Sequence, residues 1–416
     1  MPRPLTLLAI ALLLNVHQKV VAAATYSSPI AITNDDRFVW AVNRDNNSVS
    51  VIKVEGDVNK LLIEIPVGTE PRCVAITPDD EKVFVTNMVD GTVSVIDTRE
   101  ATKPWCHVRT IEVGTEPFGC AVTPDGRRLY VANFGSDDVS VINTRSERVI
   151  KTIKNVGPKP RGIAITGPSR HFDNFEEEIF GFLKDLRDGG RHDERDDGRD
   201  DEKDDGFAKT KVYVTQFLAQ LRDDNRPVDQ KEGRDDGKDG RVTVISAASN
   251  KIVGTVILNP LADTGFKSDG STLDKITVPP AAPGSFVTGA FPNLLQSIVI
   301  TGNRAYLPNT ASSPNGPFKF NVNMQGFLSV FDITTDTDSG QTINMNNGVQ
   351  NEAQNVKLFI TNPIAIAFES SGKEGWVVSA ATNRIIRVQL DANGTPTINP
   401  PKFVGDVEES FGWKSD

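Results

Sequence analysis

The chain reads as an all-β protein made of repeated four-stranded antiparallel units, the blades of a β-propeller. Two nearly superimposable stretches predict this: PRCVAITPDDEKVFVTNMVDGTVSVID at 71–97 and PFGCAVTPDGRRLYVANFGSDDVSVIN at 117–143. An earlier copy ends in VWAVNRDNNSVSVI at 39–52. The aligned Asn43, Asn87 and Asn133 recur about every 45 residues, a period of units that bury their apolar faces only against neighbours.

Within each copy the elements follow in order. Val83 and Val85, then Val93 and Val95, mark two short runs with period two. Leu129 and Val131, then Val139 and Val141, do the same one copy later. Alternation of β-branched residues is the pattern of a strand half-buried on each face. The turns are written between the runs as Pro78-Asp79-Asp80, Asp90-Gly91 and Pro124-Asp125-Gly126. Pro presets one turn dihedral, and Gly or Asp tolerates positive φ. A further strand, Arg109–Val113, completes the blade before Gly114.

These residues resemble the YVTN-type β-propeller repeat, seen here as Phe84-Val-Thr-Asn87, Tyr130-Val-Ala-Asn133 and Tyr213-Val-Thr-Gln216. A TPDG-like turn precedes the tetrapeptide and a VSVID-like strand follows it. Weaker copies are read at 160–245, 297–332 and 363–378, so the resemblance covers most of residues 27–400. It implies a ring of seven blades, whereas six are recognisable. Two explanations stay open: a longer parent protein, or a ring closed by six unequal blades. Larger members of the family often carry a haem-binding domain after the ring, which makes a C-terminal redox domain beyond this chain one candidate partner.

The apolar run Leu5–Val16 behind Arg3, followed by Ala22-Ala23-Ala24, reads as a secretory signal peptide over 1–24. Lys19 leaves an uncleaved anchor as the alternative. The run is too short to span a bilayer as a helix, and no later segment reaches that length. The expectation is a periplasmic, secreted or cell-surface propeller over 25–416, with no transmembrane segment in the mature chain. A formal charge of −10 speaks against a nucleic-acid-binding surface. Mixed-charge, Gly-rich tracts at about 171–208 and 219–240 are expected to be disordered insertions. Their Asp and Gly residues leave weak calcium binding open, without a clean EF-hand register.

Three cysteines follow the apolar run: Cys73, Cys106 and Cys120. In an oxidising compartment Cys73 and Cys120 are the candidate disulfide, against the alternative of small buried residues. Cys106-His107 completes half of a covalent c-type haem motif, but Lys103 stands where the first cysteine belongs, so this chain attaches no haem covalently. A non-covalent haem stays open. The sequence predicts no zinc site, and carries no nucleophile elbow and no phosphate loop.

The strongest candidate site comes from equivalence by repeat. Glu70-Pro-Arg72, Glu116-Pro-Phe118 and Lys159-Pro-Arg161 each lead into the first strand of a blade. Arg72, Phe118 and Arg161 should therefore face one channel mouth, where two guanidiniums and an aromatic suit an anionic, planar or carboxylate-bearing ligand. The alternative is local pairing with Glu70 or Glu116. The repeated asparagines are expected to serve blade turns. With no catalytic constellation in view, the first reading is a binding or scaffold propeller for a protein or small anionic ligand. The alternatives are the propeller of a haem-dependent redox protein and a lactonase-like hydrolase, both implied by the resemblance alone.

Overall fold

The computed structural model describes residues 24–56, 58–99, 107–167, 209–265, 267–268, 286–314, 323–347 and 359–398. The tract at 171–208 and Cys106 lie outside them. The described residues form six antiparallel blade sheets in propeller order, besides a two-stranded pair, Lys267–Ser268 with Phe286–Val287. Their innermost strands are Ile30–Ile32, Pro71–Ile76, Pro117–Val122, Pro160–Ile165, a split strand (Phe291–Leu295 and Val299–Thr301) and Pro363–Phe368. We call the sheets blades 1 to 6. The seven blades implied by the resemblance are six here.

Sequence period becomes geometry at the entry to each blade. Glu70, Glu116, Lys159, Leu294 and Asn362 all hold positive φ, between 46 and 54°. Four of the five are fixed by main-chain bonds: the Met88 amide donates to Glu70 O, Phe134 to Glu116 O, Phe217 to Lys159 O and Ala380 to Asn362 O. The recurring asparagines, expected to satisfy backbone groups at the turns, bond side chains of the next strand instead. Asn87 Nδ2 donates to Thr92 and Ser94, and Asn133 Nδ2 to Asp138 and Ser140. Their amides lie flat against glycines, and a Cβ at Gly68 or Gly114 would come within 2.6 Å of the Asn87 or Asn133 Cγ. Hence the recurring Val-Gly-Thr-Glu-Pro.

Apolar clusters join each blade to the next. Trp40, Val49 and Val51 of blade 1 pack on Val83 and Ile96 of blade 2, and comparable clusters follow at the 2–3, 3–4, 4–5 and 5–6 junctions. Polar clasps reinforce them on the outside. Lys82 pairs with Glu147 at 2.8 Å, the Tyr130 hydroxyl donates to Asn250 at 2.5 Å, Tyr213 to Asp336 at 2.6 Å, and Tyr306 to Gly394 O at 2.7 Å. Burial raises the pKa of all three tyrosines, so they remain neutral donors. Among the described residues no such cluster joins blade 6 to blade 1, and Ile364 and Val378 of blade 6 remain exposed.

Two features depart from the repeat. Thr25–Tyr26 forms an extra strand on the inner edge of blade 4, with Thr25 opposite Ile165 and Tyr26 opposite Ala164. Since that edge faces the axis, the segment lies in the central channel. Ser27 and Ile163 exchange bonds, the Thr25 hydroxyl donates to Val122 O, and the Val74 amide donates to Ser28 O. One short segment thus touches blades 2, 3 and 4, while Tyr26 packs on the clusters of blades 4–5 and 5–6.

The second departure corrects an expectation. The tract at 219–240 is folded, not disordered: strands Lys211–Leu221 and Lys238–Ser246 extend into it with Leu221 opposite Lys238. Arg226 bonds both Asp224 and Asp236, and Lys231 Nζ donates to Arg222 O and Asp224 O. Opposite charges placed close in sequence pair with one another, so the carboxylates are engaged rather than merely solvated. Among the described residues no helix is long and apolar enough to cross a membrane.

Candidate functional site at the channel mouth

The three residues aligned by repeat meet. Arg161 Cζ lies 4.1 Å from the Phe118 ring centroid, and Arg72 Cζ lies 5.4 Å from the same ring. The equivalent positions in blades 1, 5 and 6 are Ser28, Gln296 and Ile364, so the ring of six is cationic and aromatic on blades 2–4 only. Close approach of blades 3 and 4 sets this spacing. A Cβ at Gly119 would fall 2.1 Å from Arg161 O, and only glycine lets that carbonyl so near.

Sequence comparison missed a second circle. Met88, Phe134 and Phe217 each follow the recurring amide of their blade (Asn87, Asn133, Gln216) and stand behind the first three. Phe217 takes the other face of Arg161, with Cζ 4.5 Å from its centroid. Phe134 packs edge-on to Phe217 at 5.7 Å and at 6.3 Å from Phe118, and Lys159 Nζ stands 5.0 Å from the Phe134 centroid. Arg161 is therefore held between two rings, which fixes the plane of its guanidinium. The signal for this circle was present: aromatic residues at the same offset in blades 3 and 4.

The two arginines differ electrostatically. Arg72 is partnered, its Nη2 donating to Glu70 at 2.8 Å and its Nε to Met88 Sδ at 3.1 Å. The expected alternative of local pairing thus holds for Arg72. Arg161 has no carboxylate partner among the described residues, and its Nε is buried without a hydrogen-bond acceptor. Burial and the neighbouring Arg72 charge pull the Arg161 pKa down to about 10, leaving it charged at neutral pH. Two like charges close together with one donor unused define a place where an anion is stabilised.

Beside the mouth, a cleft of ≈ 740 Å³ opens between blades 2 and 3, lined by Met88, Asp90, Glu116, Asp138 and Lys154 among others. Several of its polar groups are already committed. Lys154 pairs with Asp138, and Asp90 accepts the Thr69 amide. Its size exceeds any other claim it has to a ligand, so the chemistry points to the mouth. Among the described residues no cluster of metal-ligating side chains occurs, and His107 is exposed. Cys73 and Cys120, just below the mouth, are buried free thiols with sulfurs 3.1 Å apart.

Comparison with known proteins agrees with the fold. The family model for a seven-bladed β-propeller lactonase matches residues 11–113, a minority of the chain. No curated protein matches the sequence. Among solved structures the chain is similar to Kuenenia stuttgartiensis hydrazine synthase, at 15% identity and TM-score 0.53 over 86% of this chain and 75% of that one. It is similar also to a protein of unknown function from Desulfotomaculum acetoxidans (12%, TM-score 0.51, 92% and 86% covered). A candidate 6-phosphogluconolactonase from Bacteroides fragilis is a third (14%, TM-score 0.50, 91% and 84% covered). The chain is a β-propeller. At these identities the likeness speaks for the fold, and function has to be argued from the site.

Proposed function

We propose that the chain is an exported ligand-binding propeller whose mouth takes a small planar anion, a carboxylate joined to a flat ring system. The observation that carries this is Arg161, a charged guanidinium clamped between Phe118 and Phe217 beside a second arginine, with a buried Nε that lacks an acceptor. A carboxylate would satisfy that donor and offset the repulsion from Arg72, while the ring of the ligand would extend the aromatic stack. Export rests on the apolar N-terminal run. Titration calorimetry against a panel of aromatic and aliphatic carboxylates tests the reading. Binding should favour aromatic acids and disappear in Arg72→Ala/Arg161→Ala, which should remain folded. Equal binding by the folded double variant would remove the mouth as the site.

Partial correspondence with the lactonase family model supports a second reading, hydrolysis of an anionic sugar lactone held by the same arginines. Folded protein that leaves a panel of phosphorylated and free lactones unhydrolysed would eliminate it. A haem would further require an axial ligand. Among the described residues the mouth offers Met88, whose sulfur already accepts from Arg72. The residues present fit a carboxylate rather than an iron.

A further inference from the structure

We infer that Cys73 and Cys120 form a disulfide that ties the innermost strands of blades 2 and 3 together beneath the mouth. The argument begins with register. In the repeat, Cys73 aligns with Gly119 and Cys120 aligns with Val74, so the two cysteines are one step out of phase. Successive side chains on a strand point to opposite faces. Gly119 faces blade 4, where its Cβ would meet Arg161 O. Cys73, in the same phase on blade 2, faces blade 3, and Cys120, in the other phase, faces back toward blade 2. Two cysteines at aligned positions would point the same way and never meet.

Distances between the two side chains agree with this register. The sulfurs are 3.1 Å apart, the Cys120 amide donates to Cys73 Sγ at 3.2 Å, and both residues belong to one apolar cluster with Phe84, Leu129 and Val131. A side-chain rotation of about 1 Å in sulfur position reaches bonding distance. No other described thiol competes.

Formation requires an oxidant, and a small-molecule disulfide supplies it. The Cys73 thiolate attacks the small disulfide and releases one small thiolate. The Cys120 thiolate then attacks Cys73 Sγ and releases the second. Two cysteine thiols lose two electrons and two protons, and one small disulfide becomes two thiols. In the finished ring the pair is almost wholly enclosed, at 2% and 0% exposure. The exchange therefore belongs to folding, before blades 2 and 3 close. Burial and the adjacent Cys73 also push the Cys120 thiol well above its ordinary pKa, so later exchange is slow.

Arg72 precedes one cysteine, and Phe118 lies two residues before the other. The bond would hold fixed the separation of these two mouth residues, although the inference does not depend on what the mouth binds.

The test uses the full chain, unfolded and then refolded in a mixture of oxidised and reduced glutathione. It is next alkylated in denaturant without reductant, digested and mapped by mass spectrometry. The expected result is a peptide pair joined through Cys73 and Cys120, two hydrogens lighter than its parts, with Cys106 alkylated. Alkylation of both Cys73 and Cys120, or a link from either to Cys106, overturns the inference. A second measurement compares the Tm of chains refolded with and without the oxidant. The oxidised form should melt higher by roughly 5 °C, and equal melting would also overturn it. In Cys73→Ala/Cys120→Ala the oxidant should produce no shift.

Discussion

The two halves of the channel mouth share one backbone and differ in chemistry. Blades 2 to 4 present Arg72, Phe118 and Arg161, backed by Met88, Phe134 and Phe217. Blades 1, 5 and 6 present Ser28, Gln296 and Ile364 at the equivalent positions. Backbone entry is alike on both sides, with positive φ at Leu294 and Asn362 as at Glu70 and Glu116. A repeat fold thus separates two requirements. Recurring glycines, amides and alternating valines meet the demands of the sheet. What varies between equivalent positions is free for function, and departure from the repeat is the functional signal.

The contrast can be broken at its foundation. Gly119→Val would drive a side chain into Arg161 O and Ser27 at the contact between blades 3 and 4. A loss of about 3 kcal/mol or more in unfolding free energy is expected, read from denaturant midpoints. Gly254→Val meets open space and should cost far less.

Removing the central cation comes next. Arg161→Ala should weaken binding of an aromatic carboxylate roughly 10- to 100-fold, while Gln296→Ala, its uncharged counterpart on the neighbouring blade 5, should change it little. Arg161→Lys should recover only part of the loss, because an ammonium cannot lie flat between two rings. Calorimetry on folded variants decides both. Phe217→Ala removes one face of the clamp and should cost about 3- to 10-fold, mostly through faster dissociation.

Acidity provides a finer probe. Arg161 in the free protein titrates at about 10, below its ordinary value. Anion binding needs the protonated form, so affinity should be flat through neutral pH and fall as pH rises through 10. The bound anion favours that form, so protons should be taken up on binding near pH 10. Affinity unchanged up to pH 11 would contradict a role for Arg161. The smallest effect expected is that of Ile364→Arg, which places a cation on the exposed uncharged side. Binding should stay within about twofold, because no aromatic pair orients the new guanidinium.

Much of this was legible before any coordinates. Period and alternation gave the blades, and alignment of Glu70, Glu116 and Lys159 brought Arg72, Phe118 and Arg161 to one mouth. Phe134 and Phe217 follow the recurring amides Asn133 and Gln216 at the same offset, a signal that the alignment of the entry turns alone does not use. The strand at Thr25–Tyr26 was not legible: two residues have no periodicity, and their partner lies at Ile165, far along the chain. Charge composition misled at 219–240. A mean over such a tract hides the fact that Arg226 sits two residues from one aspartate and ten from another, close enough to bond both.

The segment Thr25–Pro29 has a consequence for labelling. Its strand lies against Ile163–Ile165, below Arg161, and its turn crosses beneath Arg72 and Phe118. The segment therefore occupies part of the channel beneath these mouth residues. Thr25 meets Ile165 at the far end from Arg161 of strand Pro160–Ile165, so a label placed at Thr25 would sit away from a ligand held at the mouth.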